Sequence, residues 1–161
     1  MKKILLAALF ICTMLGFSCQ KNTQNPVNDL FIAATLVNVN WVATPSTSYN
    51  ASTDTLTIQG FYAPGNQYLV IKMKYKGLAT DTLTGTQAIY YTTDGNGNKT
   101  SLYQLDPTQI NNVAITGLNP QISIATGAFY LSFVKVTGDA SLSYKTSFSG
   151  GQFWIALPPP L

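Results

Sequence analysis

The chain has 161 residues, enough for one domain with a sizeable core, and only 9% of them are charged, against about 25% in an ordinary soluble protein. All nine basic residues are Lys and all six acidic residues are Asp; Arg, Glu and His do not occur. This excludes Ser-His-Asp and Cys-His nucleophile pairs, imidazole zinc sites, and the guanidinium fork that reads phosphate or guanine.

Met1-Lys2-Lys3 is a basic head, followed by an apolar run from Ile4 to Phe17 that only Cys12, Thr13 and Gly16 interrupt. Fourteen helical residues reach about 21 Å, short of the ~30 Å hydrocarbon layer, so the run reads as a secretory signal and not as a membrane span. It ends in Leu15-Gly16-Phe17-Ser18-Cys19, which resembles a bacterial lipobox. That resemblance implies a lipoprotein signal peptide over 1–18, cleavage before Cys19 and acylation of Cys19, with several acyl chains giving a durable anchor. The plainer alternative is an ordinary signal with a chance Cys.

Removal of the first 18 residues leaves 143, with seven Lys and six Asp and a net charge of +1. A nucleic-acid partner is not expected from so weak a basic footprint. Cys12 leaves with the signal, so Cys19 has no disulfide partner and the fold must stand on its core. Residues 19–29 read as the lipidated Cys and a polar tether containing Pro26. Gln20-Lys21-Asn22 lacks the acidic run that resembles a surface-export signal. The expected location is therefore the cell envelope, on an outer-membrane lipid anchor facing the periplasm.

The rest, 30–161, reads as a single all-β domain. Over the whole chain Thr and Ser number 31 and aromatics 19, a composition that favours strands. From Tyr68 to Lys76, Leu69, Ile71, Met73 and Tyr75 share one face, while Lys72, Lys74 and Lys76 share the other. Period 2 with one wet face marks an antiparallel sheet. Similar runs cover 31–38, 55–63, 86–93, 100–105, 111–117, 121–126, 128–136, 142–148 and 152–157. Turn residues separate them, among them Pro64-Gly65-Asn66, Asp94 to Asn98, Asn119-Pro120 and Gly150-Gly151. Asp106-Pro107 suits the start of one helical turn. The spacing predicts an antiparallel β-sandwich or a partly closed β-barrel of about 8–10 strands.

Asn38-Val39-Asn40-Trp41, Leu56-Thr57-Ile58-Gln59-Gly60, Gly85-Thr86, the stretch from Gly127 to Phe133, and Gly151-Gln152-Phe153 follow one another along the chain. In this layout the chain resembles a family of small all-β Bacteroidota lipoproteins of unknown function. The resemblance implies an all-β lipoprotein and carries no activity with it.

Catalytic patterns are weak. Ser132-Phe133-Val134-Lys135 matches a Ser-X-X-Lys pattern, but in a strand the two side chains face opposite ways. Asp94-X-Asn96-X-Asn98 resembles the opening of a calcium loop, yet Lys99 and Leu105 stand where Gly and Glu are needed; a hairpin turn explains it better. The body's Asp residues all sit in turn contexts, with nothing pairing two for glycosidase chemistry. No enzyme activity, cofactor or metal is expected. Asp54-Thr55-Leu56 and Asp81-Thr82-Leu83 resemble an Asp-Thr-apolar O-glycosylation acceptor, at Thr55 and Thr82. Lys72, Lys74 and Lys76 form a stripe that meets anionic groups or, more simply, guards a strand edge.

Aromatic doublets at 61–62, 90–91, 129–130 and 153–154 place one ring of each pair outside the core. Alternation assigns Phe61, Tyr90, Tyr130 and Trp154 to the outside, as a stacking surface for a carbohydrate-type ligand. The sequence thus points to a monomeric, non-enzymatic, lipid-anchored binding module. The alternatives are a lipocalin-like carrier of an apolar ligand, or a purely structural envelope protein.

Overall fold

A computed structural model describes residues 30–159. The signal peptide 1–18, Cys19 and the 19–29 tether lie outside the described residues.

Ten strands form one antiparallel sheet: β1 Phe31–Leu36, β2 Val39–Asn50, β3 Thr55–Tyr62, β4 Gln67–Lys74, β5 Ala79–Thr82, β6 Ala88–Thr93, β7 Lys99–Leu105, β8 Asn112–Asn119, β9 Ile124–Gly138 and β10 Lys145–Ala156. The ladder runs β10-β1-β2-β3-β4-β6-β7-β9 and closes where β9 pairs with β10. The result is a partly closed, eight-stranded up-and-down barrel with β5, paired only to β8, left as an edge strand. β5 and β8 pair from Thr82↔Asn112 to Ala79↔Ile115 and extend the β6–β7 ladder, whose pairs begin at Ile89↔Gln104. A hydrogen bond from Leu83 N to Asn111 O bridges the break. β9 pairs with β8 through its first half and with β7 through its second.

Period-2 alternation builds the interior as expected. Leu69, Ile71 and Met73 of β4, Leu56 and Ile58 of β3, and Phe129, Leu131 and Phe133 of β9 are buried in one cluster with Trp41, Phe148 and Phe153. Lys72 and Lys74 point outward and are exposed. The wall facing outward is rich in Ser, Thr, Asn, Gln and Lys, the reverse of a lipid-facing barrel.

Four expectations change. The alternation predicts no strand over 39–50 or 79–82, yet β2 is 12 residues long and β5 is 4. Runs 121–126 and 128–136 are one strand, and so are 142–148 and 152–157. Gly150-Gly151 is a bulge, with Gly150 at φ +60, and not a turn. Asp106-Pro107 opens a tight turn without a helix: Asp106 Oδ1 accepts from Thr108 N and Thr108 Oγ1, at 2.9 and 2.6 Å. A short 3₁₀ turn occurs instead at Ala63–Gly65.

The barrel has two unlike ends. Turns 37–38, 63–66, 94–98 and 139–144 meet at the mouth. Leu30, turns 51–54, 75–78 and 120–123, and the 157–159 tail meet at the base.

Candidate functional site

Of the four rings assigned to the outside, three point there. Phe61 and Trp154 are half-buried on the outer wall and Tyr130 is 46% exposed. Tyr90 is the correction: it is only 6% exposed and packs inside on Tyr103 and Phe148, with ring centroids 5.4 and 5.2 Å away. Its neighbour Tyr91 takes the outer position. The register misleads because the outer wall here carries its own apolar band, with Val70 opposite Ile89.

These rings do not form one platform. Phe61 on β3 and Tyr130 on β9 lie on opposite sides of the closed ladder. Tyr130 and Trp154 are separated along the wall, since Trp154 pairs with Thr126, four residues before Tyr130; that is about 13 Å. Phe61 instead starts a cross-strand row. Its centroid is 4.8 Å from Tyr68, and Tyr68 is 4.8 Å from Tyr91 with planes 7° apart. Coplanar rings cannot approach so closely, so Tyr68 and Tyr91 stand face to face, rising from adjacent strands. Lys99 Nζ, coming from β7, lies 4.7 Å from the Tyr91 centroid. The row turns ring edges outward, whereas sugar stacking needs free ring faces.

A second aromatic group, of which the sequence singles out only Tyr90, lies at the mouth. A cleft of about 440 Å³ is lined by Trp41, Tyr62, Tyr90 and Tyr103, with Leu36, Val37, Val39 and Leu142 at its rim. Trp41 Nε1 donates to Gln67 Oε1 at 2.9 Å. Tyr103 Oη donates to Ser143 O at 3.0 Å, tying the β9–β10 turn over the opening. Burial, and after it the neighbouring Tyr103, pushes the Tyr90 hydroxyl up to about 12. Burial also raises Tyr103. Both phenols are therefore neutral donors at physiological pH. Among the described residues, no charged side chain lines this cleft. Tyr62 alternates with an outward neighbour, a pattern that reads as core, whereas alternation puts Tyr90 outside; no spacing in the sequence tells that both sit at a barrel's end.

A separate cleft of about 350 Å³ on the outer wall holds Asp106, Ser132, Lys145 and Ser147. Lys145 Nζ is 2.8 Å from Asp106 Oδ2. Thr108 and Lys145 together engage both carboxylate oxygens, and the Lys145 bond comes first in drawing the Asp106 carboxyl down to about 2. Asn111 Oδ1 accepts from Ser132 N at 2.7 Å, and its Nδ2 donates to Asp106 O at 3.1 Å. A Ser-Lys nucleophile needs an amine free to take the serine proton. Here the ammonium is committed to a carboxylate, and the group pins the β7–β8 turn to β9. Lys135 of the Ser-X-X-Lys pattern instead donates to Asp139 O and Leu142 O at the mouth.

Asp94 behaves as a hairpin residue: its carboxylate accepts from the backbone of Asn96 and Asn98 and from the Asn98 side chain, each at 2.9 Å. Thr82 is exposed, its hydroxyl 3.1 Å from Asn112 Oδ1; Thr55 is half-buried and bonds to Thr53 O at 3.1 Å. No protein-family model, curated protein or solved structure matches this chain.

Proposed function

We propose that the chain is a non-enzymatic binding protein, held in the cell envelope by a lipid on Cys19, with its site at the barrel mouth. The carrier reading gains over the flat sugar platform. One observation carries it: an uncharged, aromatic-walled cleft of about 440 Å³ with an aliphatic rim. That size falls in the range of small-ligand sites, roughly 300–1,000 Å³. The ligand class that fits is a small, neutral, apolar or aromatic molecule with one hydrogen-bond acceptor for Tyr90 or Gln67. The rest of the barrel interior is filled by side chains, so the ligand is held in the opening, not swallowed.

N-phenyl-1-naphthylamine, a neutral fused-ring probe, tests this. Titration should quench Trp41 and light the probe by energy transfer. Tyr62→Ala and Leu142→Asp should weaken binding, while Trp154→Phe at the base should not. Equal affinity across all four proteins would remove the mouth from consideration.

Carbohydrate binding keeps one supporting observation. Tyr130 borders a shallow cleft of about 400 Å³ with Ala114, Ala128 and Gly150 beside it and the amides of Asn112 and Gln152 at its edges. A glycan array comparing wild type with Tyr130→Ala addresses it; no sugar bound in a Tyr130-dependent way ends that reading.

A further inference from the structure

We infer that the base of the barrel is a bilayer-docking face, seated on the headgroup and upper acyl region of the membrane that holds Cys19. The inference rests on the lipid-anchored reading above.

The described chain begins at the base. Ten residues, Gln20 to Asp29, separate Leu30 from Cys19. At ~3.3–3.6 Å each, the steps from Cys19 to Leu30 reach at most about 40 Å, so the base is the end nearest the anchor, at a high effective concentration.

The base is apolar on one side. Leu78 is 63% exposed, Ile122 55% and Leu30 36%. They follow the ladder without a gap. Leu30 precedes β1, Trp154 is on β10 opposite Phe31 of β1, and Ile122 precedes β9. Leu118 is on β8 and Leu78 precedes β5. Leu118, Ile122, Ile124 and Trp154 share one groove of about 390 Å³, and Leu118 Cδ1 reaches toward Gly77, beside Leu78. The polar 51–54 turn occupies the other side. Lys74 and Lys76 flank the apolar crescent, Lys74 bonded to Thr53 O and Lys76 paired with Asp81 at 2.7 Å. Asp54 and Asp81 balance these two lysines, so it is the aliphatic tips that suit the face to the interface between headgroups and acyl chains.

Docking presents the mouth cleft to the aqueous side. It also separates the two tryptophans. Trp154 is half-buried at the base, whereas Trp41 is 1% exposed inside the barrel and lies three residues farther up the ladder, Ala34↔Trp41 against Phe31↔Trp154, about 10 Å along it.

The test uses the full chain, processed and lipidated in its host, in vesicles of phosphatidylcholine and phosphatidylglycerol with brominated acyl chains. Bromine should quench much of the emission of wild type and little of that of Trp154→Phe, which retains Trp41. Leu78→Asp with Ile122→Asp should abolish the quenching while the chain still floats with the vesicles. Unquenched Trp154 in a floating wild-type chain overturns the inference and leaves the anchor intact. A chain that does not float overturns both. An Ile122-dependent dimer with unquenched Trp154 assigns the crescent to a second copy and overturns it as well.

Discussion

Tyr68 and Tyr91 stack across β4 and β6 with centroids 4.8 Å apart and planes 7° from parallel, and that geometry decides how the outer aromatics are used. Each ring's faces are taken by neighbours, Phe61 and Tyr91 for Tyr68, and Tyr68 and Lys99 for Tyr91. Such rows stabilise the sheet through cross-strand pairs. Tyr68→Ala removes two aromatic contacts worth ~0.5–1.5 kcal/mol each. Urea unfolding should report a loss of about 1–3 kcal/mol, with binding of the naphthylamine probe unchanged. A sharp loss of binding without a loss of stability would instead make the row a ligand surface.

Acid should loosen the barrel where the β7–β8 turn meets β10. Lys145, then Thr108, hold the Asp106 carboxyl at about 2, against an unfolded value of ~3.9. A depressed folded pKa means that the unfolded chain binds the proton more readily. The stabilisation is thus complete above ~4 and is lost as pH falls from there through about 2. Asp94 is lowered in the same sense, by Asn98 first, and Asp139 by Ser141. Near-ultraviolet circular dichroism should show an acid transition that moves to higher pH in Lys145→Met and Thr108→Val. An unmoved midpoint in both variants means that Asp106 does not couple to folding.

How far the fold was legible depends on whether each signal was local. The alternation at 68–76 fixed which face of β4 is core, because lysines and aliphatics differ in kind. It failed at 90–91, where both residues are Tyr and the outer wall has an apolar band of its own. β2 was missed because Pro45 and its Ser, Thr and Asn neighbours read as loop. Its last stretch tolerates Pro because it outruns β1, whose pairing ends at Ile32↔Ala43, so no partner strand on that side needs the missing N–H. The mouth cleft was not legible at all. It exists because four turns far apart in sequence share one end of a closed ladder, and no spacing encodes closure.

Gly127 and Gly151 look like strand breakers and are packing positions instead. Phe153 pairs with Gly127 across β9 and β10, and Phe129 pairs with Gly151. A Cβ on Gly151 would run into the Phe129 ring; one on Gly127 would meet both the Phe153 ring and the backbone carbonyl of Ala114. A ring can swing aside, but a carbonyl fixed in a ladder cannot. Overpacking costs about 1–3 kcal/mol and occasionally more, so Gly151→Ala should fall within that range and Gly127→Ala at or above its top. Gly95→Ala is the control, because nothing lies within 4 Å of its Cβ position and a loop alanine restricts the unfolded chain. Urea midpoints that rank the three variants otherwise would contradict this packing.

Val37 should trade stability for binding. It sits at the tip of the β1–β2 hairpin with φ +47, followed by Asn38 at φ +65. Two positive φ values suit the right-handed twist of a two-residue hairpin, but Asn or Gly normally fill both positions. A β-branched residue there is strained by about 1–2 kcal/mol. The same side chain is 62% exposed and lines the mouth cleft, a combination that folding alone gives no reason to keep. Val37→Asn relieves the strain and removes an aliphatic wall. Its thermal midpoint should rise, while affinity for the naphthylamine probe falls by about 1 kcal/mol, or about fivefold in Kd. Val37→Gly, which relieves the same strain and also deletes the wall, should behave alike. If both variants gain stability and bind as tightly as wild type, Val37 is a turn residue with no part in the site.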